Sequence, residues 1–331
     1  MKPFAYDRPS TVEEALALVE GGGTFLAGGT NLVDHLRLGI RQADRLVDIT
    51  RLPLDAISER ADGGLVIGSG VRNSDLSAHP LVRTRFPFVT QALVAGASGQ
   101  LRNMATTGGN LLQRTRCVYF QDLTTPCNKR EPGSGCSAVD GFGRYNAILG
   151  TSEACVATHP SDLCVPLAAL DAEVVVVGPT GERRIPFGDL HRLPGDRPDL
   201  DTTLEPDELV LAVEVPPLDF AVRSRYRKVR ERASYAFALV SVAAALDARD
   251  GVVHDVRLAL GGVSHRPHRA RVAEEALRGQ PASPEQFRTA IEAELDAASP
   301  GEGNAFKVPL VRNTVVDVLT GLAGSSEGSA A

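Results

Sequence analysis

The sequence predicts an α+β fold of two domains, and three observations support that prediction. The 331 residues are enough for about two domains that each bury a hydrophobic core. Helical and strand patterns alternate as far as the Pro216–Pro217 pair, which marks a boundary. Beyond that pair, strand patterns precede a run of helical patterns, an order typical of an α+β domain. We therefore expect a first domain over about residues 1–218 and a second over about 222–323.

The first half of the chain begins with a helix predicted over Thr11–Glu20, where Thr11 and Glu14 have the spacing of a capping box. A strand, Thr24–Leu26, follows, and the glycine turn of residues 27–30 then opens a second helix, Asn31–Leu38. The next predicted elements are the strands Arg45–Ile49 and Leu65–Ser69 and a helical stretch over Ser74–Ala97 that is broken near Pro87.

The second half contains longer apolar runs. Its predicted strands are Ala172–Gly178, Glu208–Val215, Arg223–Arg230 and Val252–Gly261. Its predicted helices are the strongly apolar Tyr235–Leu246 and, further on, Arg271–Arg278, Pro284–Ala297 and Lys307–Leu322. The small polar residues of the tail, 324–331, predict disorder.

Composition and charge exclude some classes of function. A net charge of -6 and a pI of about 5.7 argue against a nucleic-acid-binding surface. No run of 18 apolar residues predicts a membrane span, and the start of the chain lacks the layout of a secretory signal. We therefore expect a cytoplasmic protein, or a periplasmic one if a partner subunit that owns a signal carries it across the membrane folded.

Two glycine turns, Gly28-Gly29-Thr30 and Gly108-Gly109-Asn110, are candidate phosphate-binding loops. Paired glycines let backbone N–H groups approach a phosphate, and a helix that starts behind them adds a partial positive charge. Taken alone, either one is better explained as a tight strand-to-helix turn. Neither fits the GxGxxG fingerprint or the P-loop pattern, so an NAD-binding Rossmann unit or a nucleoside triphosphatase is disfavoured.

Four of the five cysteines, Cys117, Cys127, Cys136 and Cys155, fall within 39 residues. They lie in a segment of about residues 113–158 that has no sustained period, and a loop of that length needs a physical reason. Their spacing fits no compact zinc pattern, whereas four thiolates suffice for a [4Fe-4S] cluster. Cys164 stands in an apolar helical run, LCVPLAAL, and is interpreted as a buried free thiol without a ligand role.

Several motifs together resemble one known family. The stretches Leu26–Asp34, Gln100–Gln113, His159–Leu170 and Tyr226–Leu246 are similar to the FAD-binding subunits of the xanthine dehydrogenase and carbon monoxide dehydrogenase family, and they occur in the family's order. The segment RTRCVYFQD with PCNKREPGSGC resembles the branch in bacterial molybdenum aldehyde oxidoreductases whose flavin subunit adds a [4Fe-4S] cluster. The resemblance implies an FAD-binding PCMH-type domain of two α/β subdomains, carrying the cluster insertion, and a C-terminal CO-dehydrogenase-flavoprotein-like α+β domain.

The resemblance also implies site residues. The FAD pyrophosphate would be wrapped by Leu26, Ala27, Gly28, Gly29, Thr30, Asn31, Leu32, Val33 and Asp34, and a second contact would come from Thr107, Gly108, Gly109 and Asn110. Asp162 would hydrogen-bond the cofactor, Lys228 would lie beside the isoalloxazine ring, and Val210 or Leu209 would pack near that ring. Taken alone, Asp162 is more typical of a helix N-cap and Lys228 of a solvated strand lysine, and His35 is interpreted as a histidine on a helix surface. No residue of this chain is assigned a catalytic role.

The implied function is electron transfer within a heterotrimeric molybdenum hydroxylase. A molybdopterin-binding large subunit would hydroxylate the substrate, a small [2Fe-2S] subunit would deliver electrons to FAD, and an external acceptor would take them. A stand-alone flavin oxidase of the vanillyl-alcohol-oxidase-like group is the alternative, but 5% aromatic residues and no tryptophan offer little for a substrate pocket. A zinc-stabilised binding protein, whose glycine turns are only turns, is the non-enzymatic alternative.

Overall fold

The computed structural model describes residues 2–327. The strands are Ala5–Asp7 (β1), Thr24–Leu26 (β2), Arg45–Asp48 (β3), Ile57–Glu59 (β4), Leu65–Gly68 (β5), Glu173–Gly178 (β6), Gly181–Pro186 (β7), Leu209–Val215 (β8), Ser224–Val229 (β9), Val240–Arg249 (β10), Val252–Gly261 (β11) and His268–Arg269 (β12).

The helices are Val12–Glu20 (α1), Leu32–Leu38 (α2), Asn73–Ala78 (α3), Pro80–Arg85 (α4), Pro87–Ala95 (α5), Gly99–Arg102 (α6), Thr107–Leu111 (α7), Val118–Gln121 (α8), Cys164–Ala169 (α9), Phe187–Leu190 (α10), Arg271–Leu277 (α11), Pro284–Leu295 (α12) and Lys307–Glu327 (α13). None of the helices within residues 2–327 is long and apolar enough to cross a membrane.

A small parallel sheet with the strand order β1-β3-β2 opens the chain, and helices connect its strands. The cap of α1 forms as the sequence predicts, because the Thr11 side chain accepts a hydrogen bond from the Glu14 N–H at 3.2 Å. Helix α1 packs against this sheet, and the core between them contains Ala15 and Val47. The sheet places the first glycine turn at the end of β2, directly before α2.

A second, antiparallel sheet has the order β4-β5-β8-β6-β7. Helices α3, α4, α5 and α9 lie in the same hydrophobic core as its inner face. The helical stretch predicted as two pieces is three helices, since Pro80 as well as Pro87 begins a new one. The sequence did not predict β4 and β7, because most of their residues are exposed and polar and carry no buried alternation.

A third sheet with the order β12-β11-β10-β9 forms the last part of the chain, and α11, α12 and α13 cover one of its faces. The predicted helix over Tyr235–Leu246 is wrong, because the chain forms the central strand β10 from Val240 onward. Val242 and Ala244 enter the core under these helices, whereas Ala243 and Ala245 enter the core shared with the second sheet. A strand that is buried on both faces loses the alternation that identifies strands, so its sequence resembles a buried helix.

The cysteine-rich segment is irregular, as predicted. Between residues 113 and 158 the structure has one short helix, α8, and isolated bridges such as Cys127 to Cys136. Side chains supply hydrogen-bond partners for the backbone groups of this segment. The Arg130 guanidinium donates to the carbonyls of Tyr119 and Phe120, both at 2.8 Å. The prediction of a disordered tail is wrong for residues 324–327, which continue α13, and residues 328–331 lie outside the described part.

Candidate cofactor site

The first glycine turn offers free hydrogen-bond donors. Gly29 has a φ of +72°, a conformation that glycine adopts without strain. Within residues 2–327, the backbone N–H groups of residues 28–31 donate to no acceptor. The turn lies immediately before α2, where the helix dipole favours an anion. The turn therefore has the donor set that a pyrophosphate group requires.

The loop that leads into the second glycine turn lies against the first turn, and the second turn is built differently. A Cβ added at Gly28 would lie 1.9 Å from the carbonyl oxygen of Met104, so only glycine allows this approach of the two loops. The N–H groups of Thr107 and Gly108 already donate to Val71 and Ser69 carbonyls at 2.8 Å, and Gly109 donates to the Thr106 hydroxyl. The second turn therefore supports the first and would contact a cofactor mainly through side chains.

Hydrogen bonds connect the turns to a larger pocket. The Arg114 N–H donates to Asn31 Oδ1 at 3.1 Å, and the Ser161 hydroxyl donates to Asn110 Oδ1 at 2.6 Å. Ser161 lines the pocket, which has a volume of about 330 Å³ and is formed by residues 115–118, 145–146, 158–162, 231–232, 235–238, 241 and 262. An extended molecule with a pyrophosphate at one end and a planar ring at the other fits this layout.

Asp162 and Lys228 form a buried ion pair at this pocket. The Lys228 Nζ lies 2.8 Å from Asp162 Oδ2, and their side chains are 4% and 10% exposed. Asp162 also accepts a hydrogen bond from the hydroxyl of Tyr226, and burial, with the Asp162 charge next in effect, raises the pKa of that tyrosine well above 10. Asp162 therefore does not cap a helix, and Lys228 is not a solvated lysine.

Two residues singled out in the sequence lie away from this pocket. Val210 is 4% exposed and belongs to the core of the second sheet, and neither it nor Leu209 lines the 330 Å³ pocket. His35 was expected on a helix surface, but it is 2% exposed and packs edge-on against Phe120 at 5.7 Å between ring centroids. Burial, the largest effect, lowers the pKa of His35 to about 4, so the imidazole is neutral at pH 7.

The four clustered cysteines line a single second pocket, together with Thr115, Phe120 and Lys129. Zn–S bonds of about 2.3 Å place the thiolates of a zinc site roughly 3.8 Å apart. Among the described residues, no three of these cysteines have sulfur atoms that all lie within 4.8 Å of one another. Cys117 and Thr115 line both this pocket and the larger one, so the two pockets share a wall.

Two of these thiols act as a pair. Cys136 and Cys155 share a hydrogen bond, which lowers the pKa of Cys136 to about 6 and raises that of Cys155. Burial raises the pKa of Cys117. The first proton therefore leaves this pair more readily than the second.

A different group, His159, Cys164 and His191, has ligand atoms within 4.8 Å of one another. Burial lowers the pKa of both histidines and raises that of Cys164 to about 12. One His191 nitrogen already bonds to the Leu111 carbonyl at 2.8 Å. The sequence did not predict this group, because no spacing rule joins residues that are up to 32 positions apart.

Two family models match nearly the whole chain. The FAD binding domain in molybdopterin dehydrogenase matches residues 2–218, and the CO dehydrogenase flavoprotein C-terminal domain matches residues 224–321. The chain is 48% identical to the aldehyde oxidoreductase FAD-binding subunit PaoB of Escherichia coli (strain K12), over 96% of this chain and 98% of that protein. It is 27% identical to the glyceraldehyde dehydrogenase medium chain of Sulfolobus acidocaldarius, over 96% of this chain and 95% of that one.

Solved structures share the fold. A chain of carbon monoxide dehydrogenase from Hydrogenophaga pseudoflava superposes with a TM-score of 0.75 at 26% identity, covering 98% of this chain and 99% of that one. A chain of quinoline 2-oxidoreductase from Pseudomonas putida 86 gives a TM-score of 0.76 at 22% identity, with 98% and 99% covered. The predicted α+β class is confirmed.

Proposed function

Because the chain belongs to the family of FAD-binding medium subunits of the molybdenum hydroxylases, we propose that it is an electron-transfer subunit that holds FAD beside a [4Fe-4S] cluster. The chain is an oxidoreductase subunit and binds FAD. The observation that carries the proposal is that all four clustered cysteines line a pocket sharing Thr115 and Cys117 with the larger pocket. Two redox groups held there would be close neighbours.

The proposed FAD contacts follow the two glycine turns and the larger pocket. The free N–H groups of residues 28–31 would hold the pyrophosphate, and Asn110, which accepts a hydrogen bond from Ser161, and Asp162, which lines the larger pocket, would contact the cofactor further along. Lys228, which pairs with Asp162, would place a positive charge near the ring, and such a charge would favour an anionic reduced flavin. When bound, FAD supplies redox chemistry that no side chain of this protein has.

The proposed cluster ligands are Cys117, Cys127, Cys136 and Cys155. Hydrogen bonds that need no metal hold their segment in shape. The carboxamide oxygen of Asn128 accepts from the N–H groups of Gly133 and Gly135, and its amide nitrogen donates to the Ala154 carbonyl. Thiolates are the ligands that iron–sulfur clusters require. The residues therefore form a preshaped site whose thiols still have to be deprotonated.

We further propose the partners and the substrate class. The chain has no second set of cysteines for [2Fe-2S] clusters, since the described thiols are these four and the buried Cys164. A small [2Fe-2S] subunit and a molybdopterin-binding large subunit complete the enzyme, and an external acceptor takes the electrons. The 48% identity to an aldehyde oxidoreductase subunit supports an aldehyde as the substrate of the whole complex.

Iron and flavin analysis of matched variants tests the proposal. Cys127→Ser and Cys164→Ser remove one buried thiol each, since these cysteines are 7% and 0% exposed. We expect the purified protein to contain flavin and about four irons per chain, Cys127→Ser to lose most of the iron, and Cys164→Ser to keep it. Equal iron loss in both variants would contradict the ligand assignment. Flavin without iron in the unmodified protein would contradict the cluster.

A further inference from the structure

A buried lysine lies at the cysteine pocket. The side chain of Lys129 is 1% exposed, and its Nζ donates to the Pro198 carbonyl at 2.7 Å and to Asp201 Oδ1 at 2.5 Å. It stands two residues after Cys127 and lines the pocket with all four clustered cysteines. An ammonium group loses its hydration on burial, so its retention in such a place requires compensating partners.

Asp201 joins Lys129 to a second cation. Its other carboxylate oxygen accepts from Arg114 Nε, and Arg114 lies over the Phe120 ring at 4.7 Å from the centroid. Burial alone would raise the pKa of Asp201, but Lys129 and Arg114 together lower it to about 2. The carboxylate is therefore ionised at pH 7. Two cations and one anion leave the group with a net charge of +1.

The positive charge of Lys129 lies at the same pocket as the four clustered cysteines. A buried charge is weakly screened, so its effect on a neighbour within the same pocket is larger than that of a surface lysine. Phe120, which is 1% exposed, also lines this pocket.

We propose that Lys129 is an electrostatic positioning residue for the [4Fe-4S] cluster, raising its reduction potential by holding a fixed positive charge against the cysteine pocket. This inference rests on the proposed function, because it requires the cluster to be present. Uptake of one electron makes the cluster and its four thiolates more negative by one charge. A fixed cation stabilises that reduced state more than the oxidised one, and net charge and hydrogen bonding are known determinants of cluster potentials.

A purely structural role for Lys129 would have a different signature. Its bond to Pro198 also ties the cysteine segment to residues 198–201. If Lys129 only held this contact, removing either partner of the ion pair would loosen the same region and shift the potential in the same direction. If its charge matters, removing the cation and removing the anion should shift the potential in opposite directions.

The test is a redox titration of the assembled complex, with the cluster followed by electron paramagnetic resonance. For Lys129→Gln we expect the reduced-to-oxidised ratio at a fixed potential to fall at least tenfold, a negative shift of about 59 mV for a one-electron couple. Asp201→Asn should shift the potential in the positive direction. Lys129→Arg should stay near the unmodified protein. Lys2→Gln is the matched control, because Lys2 loses the same charge from an exposed ion pair with Asp44.

Each outcome decides the proposal. An unchanged potential in Lys129→Gln with full iron content, or shifts of the same sign in Lys129→Gln and Asp201→Asn, would overturn it. If Lys129→Gln loses its iron, the sign of the shift in Asp201→Asn decides instead. Loss of iron from Lys129→Arg as well would show a structural role and overturn the proposal. Absence of iron from the unmodified complex would instead refute the cluster, and the two failures are distinguished by iron analysis alone.

Discussion

Gly28 links the two glycine turns through backbone packing. Its missing side chain lets the Met104 carbonyl approach to within 1.9 Å of where a Cβ would lie. The first turn keeps free N–H groups, while the second is already bonded to residues 69–71. The donors of the first turn are therefore positioned by a second loop about 75 residues further along the chain. A defect in this packing would displace the N–H groups of residues 28–31, which are proposed to hold the pyrophosphate.

Gly28→Ala should disrupt this arrangement. The added methyl cannot fit against a backbone carbonyl, so we expect the two loops to separate, at a cost of about 1–3 kcal/mol, the usual range for overpacking. The flavin content of the purified protein should fall at the same time, as measured by absorbance. Gly99→Ala is the matched control, because a Cβ there meets no atom within 4 Å. Equal flavin content in both variants would show that the contact is dispensable.

Individual elements differ in how well the sequence predicts them. The bounds of α1, β2 and α2 follow from local signals, the cap of α1 and the first glycine turn, and the structure reproduces them within about two residues. The strand β10 was mistaken for a helix because tertiary burial on both faces removed its period. The grouping of the four cysteines was predictable from the sequence, but the presence of Lys129 at the same pocket was not. Asp201, which holds Lys129, is 72 residues away, and no local pattern joins them.

Hydrogen exchange tests the central position of β10 in its sheet. β10 is hydrogen-bonded to β9 on one side and to β11 on the other, and residues 240–248 are all buried. We expect its amides to be among the slowest to exchange, because exposing them requires opening both cores. β7, an edge strand with mostly exposed residues, should exchange orders of magnitude faster. Mass spectrometry of deuterated peptides measures both. Similar rates for the two strands would contradict the central position of β10.

At the scale of the whole molecule, buried histidines tie stability to pH. Burial lowers the pKa of His35 and His191 to about 4 and that of His265 to about 3, from 6.5 when unfolded. Between pH 6.5 and 4 the unfolded chain therefore binds more protons than the folded chain. Stability should be highest above pH 6.5 and fall as the pH drops towards 4. In the middle of that range, each such histidine contributes about 1.4 kcal/mol per pH unit.

The slope of the unfolding free energy against pH can be assigned to single residues. The pKa of Asp201 falls from 3.8 in the unfolded chain to about 2 in the folded one, so its contribution to the pH dependence begins only below about pH 5. His35→Phe keeps an aromatic ring against Phe120 but cannot bind a proton, and it should reduce the slope of unfolding free energy against pH by about one proton. His254→Gln, at an exposed position, is the control and should leave the slope as it is. Denaturant unfolding at pH 7, 6 and 5 measures the slopes. A slope in His35→Phe equal to that of the unmodified protein would mean that this histidine is protonated in the fold, and the acid sensitivity would then have to come from the other buried rings.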